Sequence, residues 1–531
     1  MVNLFVFLAF LGAWGGMAKR WVKRTTPTAR IEGEFSFYFD VVHRYWAGGA
    51  SEQRAAPLNR ICTLARKMGV AAVLIEDALE RDEVRREIDA LRKKLSTGGV
   101  VTAASISFLR ALPSAGQMEG PPDHMVGQVV VLTYPSASGP KSYVFDAIMR
   151  VPARWQDGHE IPLVNRCVPK AQTFYRRAGG CRYAVARAYY CQENDVSRGN
   201  VQAALRIAIR SIEGISSVDD DKLSKAAHPK GIVDVIVKTL KNRGYGYNLY
   251  EIDGVTSADE VWTAICSFIE SGNPPLLVVS GKRNQSRIIP VLGYTLNTDE
   301  WHPDGSMSHP KRQSGWFSSS QWIDHVVIHD TVLGPYFCMS RAWLAEQLSR
   351  AANAGMKPRL VIAPIWTPQV KVSPVYAEQL AGQYLDIWVR RVAEVNAGTG
   401  RWWDYLCQNG SNVVLRTTFI SSQDYQVHLQ KLDDKIQSRG ESVATWISPG
   451  GGEPLSFRSF MNSLPANFWI CEISMPQLYG GNRKKLGEIL IDSRKRDLSG
   501  GILAIRLPSR AVWRNGAGYL LAPTGMDSQT P

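Results

Sequence analysis

One segment, residues 191 to 212, constrains the fold of this chain more than any other. Its sequence is CQENDVSRGNVQAALRIAIRSI. From Asn200 onward, apolar side chains recur at the spacing of a single helix face, at Val201, Ala204, Leu205, Ala208 and Ile212. The pattern predicts a loop that leads into a buried amphipathic helix beginning near Asn200, and Asn is among the residues that cap helix N-termini best.

Two later segments follow this helix in a fixed order. The first is Arg287–Tyr294 (RIIPVLGY), and the second is Val326–Tyr336 (VVIHDTVLGPY). Together the three segments resemble the nucleophile helix, the general-base strand and the orienting-carboxylate strand of papain-like cysteine peptidases. The resemblance is nearest to the branch that removes double-glycine leaders in bacteriocin processing, and it covers about residues 171 to 365.

The resemblance places a degenerate catalytic triad on Asn200, Arg287 and Asp330, where the family has Cys, His and Asp. Gln192 lies near the position of the family's oxyanion-hole Gln, two residues further from the nucleophile than expected. An amide cannot form a thiolate, and a guanidinium cannot accept a proton at physiological pH. We therefore expect no peptidase chemistry at these positions, but an ion pair or hydrogen bond between Arg287 and Asp330.

An alternative catalytic site is open to the chain if the thiol and the imidazole have moved. Cys191 precedes the helix, and His325 and His329 lie just before Asp330. Successive side chains of a strand point to opposite faces, so His329 and Asp330 should not face the same cleft. Cys191, beside two tyrosines, is expected to be a buried apolar residue.

Two functions follow from the resemblance. The first is a catalytically inactive papain-like homologue that acts as a peptide-binding or protein-binding module, or as a regulatory module. The alternative is an active papain-like thiol peptidase or related hydrolase with a relocated Cys/His site. No dinucleotide-binding or phosphate-binding glycine motif and no metal-ligand spacing occurs, so we expect neither cofactor nor metal. The net charge of +14 is dispersed without a basic, aromatic-rich stripe, which argues against nucleic acid as a partner.

The fold class expected is α+β, in several domains. A central papain-like domain, with a helical half and an antiparallel sheet, is flanked by two α+β domains. The predicted divisions are an apolar segment with a basic flank at 1–25, an N-terminal domain at 26–170, the papain-like domain at 171–368 and a C-terminal domain at 369–531.

Local patterns predict the main elements. In the first domain we expect a helix over Ala72–Leu95 and a hairpin of strands 126–134 and 141–150. The segment 297–322 is rich in Trp, Ser, Pro and Gly and is expected to be a long surface loop. Helices are predicted at 231–243, 257–271, 377–396 and 422–439, and strands at 275–280, 288–295, 326–329, 359–363, 411–420, 468–474, 487–492 and 501–506.

The N-terminus and the cysteines bear on location. Residues 1–17 are almost wholly apolar and precede four basic residues at 19, 20, 23 and 24. Either this segment tethers the chain to a membrane, or translation begins at Met17; both leave the body of the chain in the cytoplasm. None of the eight cysteines forms a Cys-x-x-Cys pair, so we expect free thiols in a reducing compartment.

Overall fold

The structure is a computed structural model of the chain. It describes residues 29–30, 35–47, 53–95, 99–114, 116–151, 166–167, 173–186, 188–194, 196–213, 232–242, 244–251, 258–280, 286–295, 316–353, 359–365, 370–395, 413–438, 457–476, 478–479, 485–507, 510–515 and 518–523.

The described strands form three larger sheets and one hairpin. In chain order they are β1 (Ala29–Arg30), β2 (Ala72–Asp77), β3 (Thr102–Leu109), β4 (Met125–Tyr134), β5 (Lys141–Met149), β6 (Arg166–Cys167), β7 (Thr173–Ala178), β8 (Cys181–Ala186), β9 (Ala188–Tyr190), β10 (Gly246–Glu251), β11 (Pro275–Ser280), β12 (Ser286–Thr295), β13 (Trp316–Ser318), β14 (His325–Asp330), β15 (Gly334–Ser340), β16 (Arg359–Ile365), β17 (Val413–Ser421), β18 (Asn467–Ser474), β19 (Gly487–Asp492), β20 (Ile502–Leu507), β21 (Arg510–Asn515) and β22 (Gly518–Pro523).

The described α-helices pack on these sheets. They are α1 (Phe35–His43), α2 (Ala56–Lys67), α3 (Asp82–Lys94), α4 (Asn200–Glu213), α5 (Ile232–Asn242), α6 (Ala258–Glu270), α7 (Arg341–Asn353), α8 (Pro374–Val395), α9 (Ser422–Ser438), α10 (Phe457–Ser463) and α11 (Leu498–Gly501). The α+β class is therefore correct, and the helices and strands predicted beyond residue 200 all occur, with boundaries within a few residues.

The first sheet is antiparallel, in the order β1-β2-β3-β4-β5-β9. The predicted hairpin forms its centre as β4 and β5. Alternate residues of β4 face two cores: Val129 and Val131 lie in the core that contains α2, whereas Val130 and Leu132 lie in the core that contains α3. A sheet covered on both faces explains why this strand is apolar almost throughout.

The helix predicted over Ala72–Leu95 is wrong in its first half. Residues 72–77 form strand β2, paired on both sides with β1 and β3, and the helix begins only at Asp82. The run Val73-Leu74-Ile75 is buried between its neighbouring strands. Short apolar runs of this kind fit a buried strand and a buried helix equally well, and strand pairing decided between them.

The second sheet carries the residues of the predicted triad. Its order is β10-β16-β11-β12-β14-β15, all antiparallel, with β6 pairing to β12 beside this path. Helix α4 lies between this sheet and the first one. Ala204, Leu205 and Ala208 pack in a core with residues of β11 and β12, whereas Ala203 and Ile207 pack in the large core of the first sheet.

Buried ion pairs also tie α4 and the loop before it to the first sheet and α3. Arg210 lies 3.4 Å from the carboxylate of Asp146 on β5, and Arg198 lies 3.0 Å from that of Glu87 on α3. Although burial alone would raise the pKa of Asp146, Arg176 and Arg210 hold it below its usual value. Such pairs fix the position of α4, because breaking one leaves an uncompensated buried charge.

Residues 173–186 and 188–190 pack with the first sheet. Strand β9 pairs with β5, and the hairpin of β7 and β8 contributes Phe174, Tyr183 and Val185 to the first core. That core also includes Leu292, Val327 and Tyr336 from the second sheet. One hydrophobic core therefore contains residues from both sides of the predicted domain boundary at residue 170.

The third sheet has the order β13-β17-β18-β19-β20-β21-β22, in which only β13 and β17 run parallel. Strand β13 comes from the segment predicted as a surface loop. Residues 316–318 pair with β17, and residues 319–322 form a 3-10 turn whose Trp322 is buried. The surface-loop prediction is therefore wrong for 316–322, and residues 297–315 lie outside the described part.

Candidate functional site

The candidate site lies where helix α4 begins against strand β12. Asn200 is the first residue of α4, and its side chain crosses to the sheet. The Oδ1 atom accepts a hydrogen bond of 2.7 Å from the backbone N–H of Ile288, and Nδ2 donates to the hydroxyl of Thr331 at 2.8 Å. The amide is thus engaged with β12 and with the turn after β14, at the place where the resemblance puts a nucleophile.

Arg287 and Asp330 form the contact that the sequence predicted. The guanidinium of Arg287, on β12, makes a hydrogen-bonded ion pair with Oδ2 of Asp330, at the end of β14. The carboxylate is buried, with 6% of its side chain exposed, whereas 45% of the Arg287 side chain is exposed. The other oxygen of Asp330 accepts 2.9 Å hydrogen bonds from the amides of Val332 and Leu333, so the whole carboxylate is fixed.

Two further residues complete this arrangement and were missed from the sequence. The hydroxyl of Thr331 donates to Oε2 of Glu193 at 2.7 Å, and the Glu193 amide donates to the Thr331 carbonyl at 3.3 Å. A continuous polar chain therefore runs from Glu193 through Thr331 to Asn200 and on to β12. Both residues adjoin positions quoted from the motifs, but nothing in a sequence shows that residues 138 positions apart will meet.

The side-chain amide of Gln192 binds backbone groups of other segments, and not Asn200. Its Nε2 donates to the carbonyl of Arg54 at 2.9 Å, and its Oε1 accepts from the amide of Val144 at 2.9 Å. Both ends of this buried side chain are used to join the loop before α4 to the N-terminal part of the chain. The oxyanion-type role expected from the resemblance has no support from these contacts.

The side chains of Cys191 and His329, two residues of the alternative Cys/His site, bind groups outside the Asn200 arrangement. Cys191 is fully buried, and its thiol donates towards the carbonyl of Ala203 at 3.6 Å. His329 is fully buried between the rings of Tyr190 and Tyr336, and its Nδ1 donates to the carbonyl of Tyr189 at 3.2 Å. Burial lowers the pKa of His329 to about 3, which keeps the imidazole neutral.

His325, the third residue of the alternative site, is exposed and is the first residue of β14. As strand alternation predicts, Asp330 reaches Arg287 while its neighbour His329 packs against the first sheet. The described geometry thus offers neither a solvent-accessible Cys191 thiol nor a solvent-accessible His329 imidazole. Catalysis by a thiolate needs both groups to reach the substrate.

The Asn200 arrangement has neither the thiol nor the imidazole on which papain-like chemistry depends. It contains an amide, a permanently charged guanidinium, a hydroxyl and two carboxylates, held by mutual hydrogen bonds. The amide, the guanidinium and the hydroxyl act through hydrogen bonds and ion pairs, whereas a carboxylate can also act as an acid, a base or a nucleophile. Within the described residues, no group of three or more His, Cys, Asp or Glu side chains is placed to hold a metal ion.

Comparison with known proteins found no matching family model, no similar curated protein and no similar solved structure. Of the helices in the described part, none combines the length and apolarity needed to cross a bilayer; residues 1–17 lie outside it. The six cysteines whose side chains are described, at 62, 181, 191, 266, 338 and 471, form no disulfide bond, as predicted.

Proposed function

We propose that the chain is a catalytically inactive homologue of papain-like cysteine peptidases, and that its degenerate cleft binds an extended peptide or protein segment. The observation that carries the proposal is the convergence of Asn200, Arg287 and Asp330 at the N-terminus of a buried helix that packs on an antiparallel sheet. The three positions came from the ordering of motifs alone. Their meeting in space supports the alignment on which the resemblance depends.

The surroundings of the site favour binding. Arg287 is nearly half exposed although it is paired, and Leu333, three residues after Asp330, leaves 41% of its surface exposed. A cation and an apolar side chain beside ordered backbone are suited to a peptide that presents an acidic or carboxyl group near an apolar residue. Binding of this kind requires shape and hydrogen bonds, and no thiolate.

The alternative function, an active thiol peptidase with Cys191 as nucleophile, is disfavoured by the burial of Cys191 and His329. A cytoplasmic location for the body of the chain is part of the proposal, and the free cysteines support it. The partner in the cleft is expected to be a peptide or protein.

The decisive experiment restores the missing chemistry. We expect purified wild-type protein to hydrolyse no peptide or isopeptide substrate and to show no labelling in the cleft by thiol-directed peptidase probes. The double variant Asn200→Cys, Arg287→His should react with such a probe at residue 200 and show weak hydrolysis. Adding Asp330→Asn should reduce that reactivity, because the imidazole loses its orienting carboxylate while the turn keeps an oxygen acceptor.

Two outcomes would refute the proposal. Labelling of wild-type protein at Cys191 that disappears when His325 or His329 is replaced would restore the enzyme interpretation. A double variant whose introduced thiol reacts no faster than a cysteine in an unfolded peptide would show that the site lacks the geometry of a peptidase.

Peptide binding is tested separately with a displayed library of extended peptides. We expect selected peptides to lose affinity for Leu333→Asp and to keep it for Val427→Asp. Val427 is a matched control, because it is also an exposed apolar residue, at 44%, and lies on α9. Equal loss in both variants would place the binding surface elsewhere.

A further inference from the structure

Segment 330–336 comprises the last residue of β14, the turn 331–333 and the first three residues of β15, and it carries two members of the candidate site, Asp330 and Thr331. We call it the 330–336 turn. Its far end does not contact the site but the N-terminal part of the chain. The conformation of this turn therefore depends on residues that are distant in sequence from the site.

Arg60 of helix α2 binds the far end of the turn. Its Nη2 donates to the carbonyl of Tyr336 at 2.6 Å, and its Nε donates to that of Pro335 at 3.3 Å. The same guanidinium lies 4.6 Å from the centre of the Phe337 ring. Hydrogen bonds from a charged donor to two successive carbonyls fix the backbone direction more firmly than neutral ones.

Tyr336 has an unfavourable backbone conformation within this turn. Its φ of 56° is left-handed, and it is the non-glycine residue in the described part with a positive φ. Such a conformation costs about 1–2 kcal/mol for a residue with a Cβ, and it persists only where surrounding contacts impose it. Here the contacts are Arg60 on the carbonyl and the carbonyl of Met149, which accepts a 2.8 Å bond from the Tyr336 hydroxyl.

Close packing of α2 adds to this restraint. Gly334 has a φ of 125°, and a Cβ there would lie 3.1 Å from the Cα of Pro57, at the start of α2. At the other end of the turn, the hydroxyl of Tyr190 donates to the carbonyl of Asp330 at 3.1 Å. Both ends of the turn are thus held by residues from the N-terminal sheet and its helix.

We propose that Arg60 and Tyr336 are positioning residues for the candidate site. They hold the 330–336 turn in a strained form that places Asp330 against Arg287 and Thr331 against Asn200. The purpose of this restraint depends on the proposed function, but the restraint itself does not. It makes the N-terminal part of the chain a component of the binding site.

The test uses hydrogen exchange at single-residue resolution on the full chain. The amides of Val332 and Leu333 report on the turn through Asp330, and the amide of Ile288 reports on the site through Asn200, which Arg60 does not touch. In Arg60→Met we expect exchange about tenfold faster at all three amides, since hydrogen bonds to charged groups contribute enough for that change. Lys67→Met, an exposed cation of the same helix, should change none of them.

A purely local role for Arg60 predicts a different result. Faster exchange at Val332 and Leu333 with unchanged exchange at Ile288 would overturn the proposal, and so would an equal increase across β17 and β18. If Arg60→Met does not fold, Tyr336→Phe decides, because it removes only the hydroxyl bond to Met149 and should raise exchange at the same three amides. These readouts need no ligand, so they remain valid if the double variant proves inactive and the proposed function fails.

Discussion

A buried carboxyl on α8 provides the sharpest test of the energetics of this fold. Glu378 is 3% exposed and lies between β13 and β17. Its Oε2 accepts hydrogen bonds from the hydroxyls of Ser318 at 3.3 Å and Thr417 at 3.5 Å. No cation is among these partners, and burial raises the pKa of Glu378 to about 8. The carboxyl is therefore protonated in the folded protein at neutral pH.

The sign of the pH dependence follows from this pKa. The folded carboxyl keeps its proton up to pH 8, whereas the unfolded carboxyl releases it above its ordinary pKa of 4.5. Between these values the folded state binds one more proton, so the free energy of unfolding falls by about 1.4 kcal/mol for each unit of rising pH. The contribution is complete below pH 4.5 and is lost as the pH passes through 8.

Glu378→Gln replaces the titratable carboxyl with a neutral amide of the same size, which keeps one acceptor oxygen. From pH 5.5 to 7.5 we expect the wild-type free energy of unfolding to fall by about 3 kcal/mol relative to this variant. The measurement is urea unfolding followed by tryptophan fluorescence, because Trp469 and Trp262 lie in the same core as α8. The thiols of Cys266 and Cys471 add no slope, since burial raises the pKa of each.

The control is Glu80→Gln, a carboxylate with 89% of its side chain exposed, which should leave the difference near zero. Parallel curves for wild type and Glu378→Gln across this range would refute the reasoning. They would mean that the Glu378 carboxyl is ionised in the folded protein, and therefore that water or a cation reaches it.

Two further predictions concern the residues around the candidate site. Arg287→Ala should lower the free energy of unfolding by about 1–2 kcal/mol, less than for a fully buried pair because the cation is half exposed. Arg85→Ala, which removes a surface pair, should cost under about 0.5 kcal/mol, and equal melting temperatures for the two variants would contradict the assignment. His329 has a lowered pKa of about 3, so the unfolded state binds more protons below its ordinary 6.5, and stability falls by about 1.4 kcal/mol per unit as the pH drops between these values. His329→Phe should flatten this acid limb in urea unfolding, and an unchanged limb would place His329 in contact with solvent.

Much of the local structure could be predicted from sequence. Helical periodicity after Asn200 predicted α4 at its observed start, and apolar runs between turn residues predicted β11, β12 and β14. These predictions succeeded because amphipathic patterns depend on neighbours within a few residues. The Arg287–Asp330 pair was also predicted, although from the order of the motifs and not from any local pattern.

The predictions that failed depended on distant partners. Residues 72–77 became a strand because β1 and β3 flank them, and residues 316–318 became a strand because β17 does. Contacts that no prediction covered join the Gln192 amide to Arg54 and Val144, and Glu193 to Thr331, over more than 45 positions. No periodicity encodes which loop approaches which turn.

The charged residues of the third sheet show the same difference between what a local pattern predicts and what distant contacts decide. Four charged residues are direct neighbours in register across β17 to β20: Arg416, Glu472, Glu488 and Arg506. Each arginine pairs with the glutamate beside it, and Lys485 pairs with both glutamates. The sequence by itself determined that these segments are strands, since a short apolar run between turn residues is a local property. Only the tertiary structure decided which charges face one another, because strand register and loop contacts are set by the packing of the whole core.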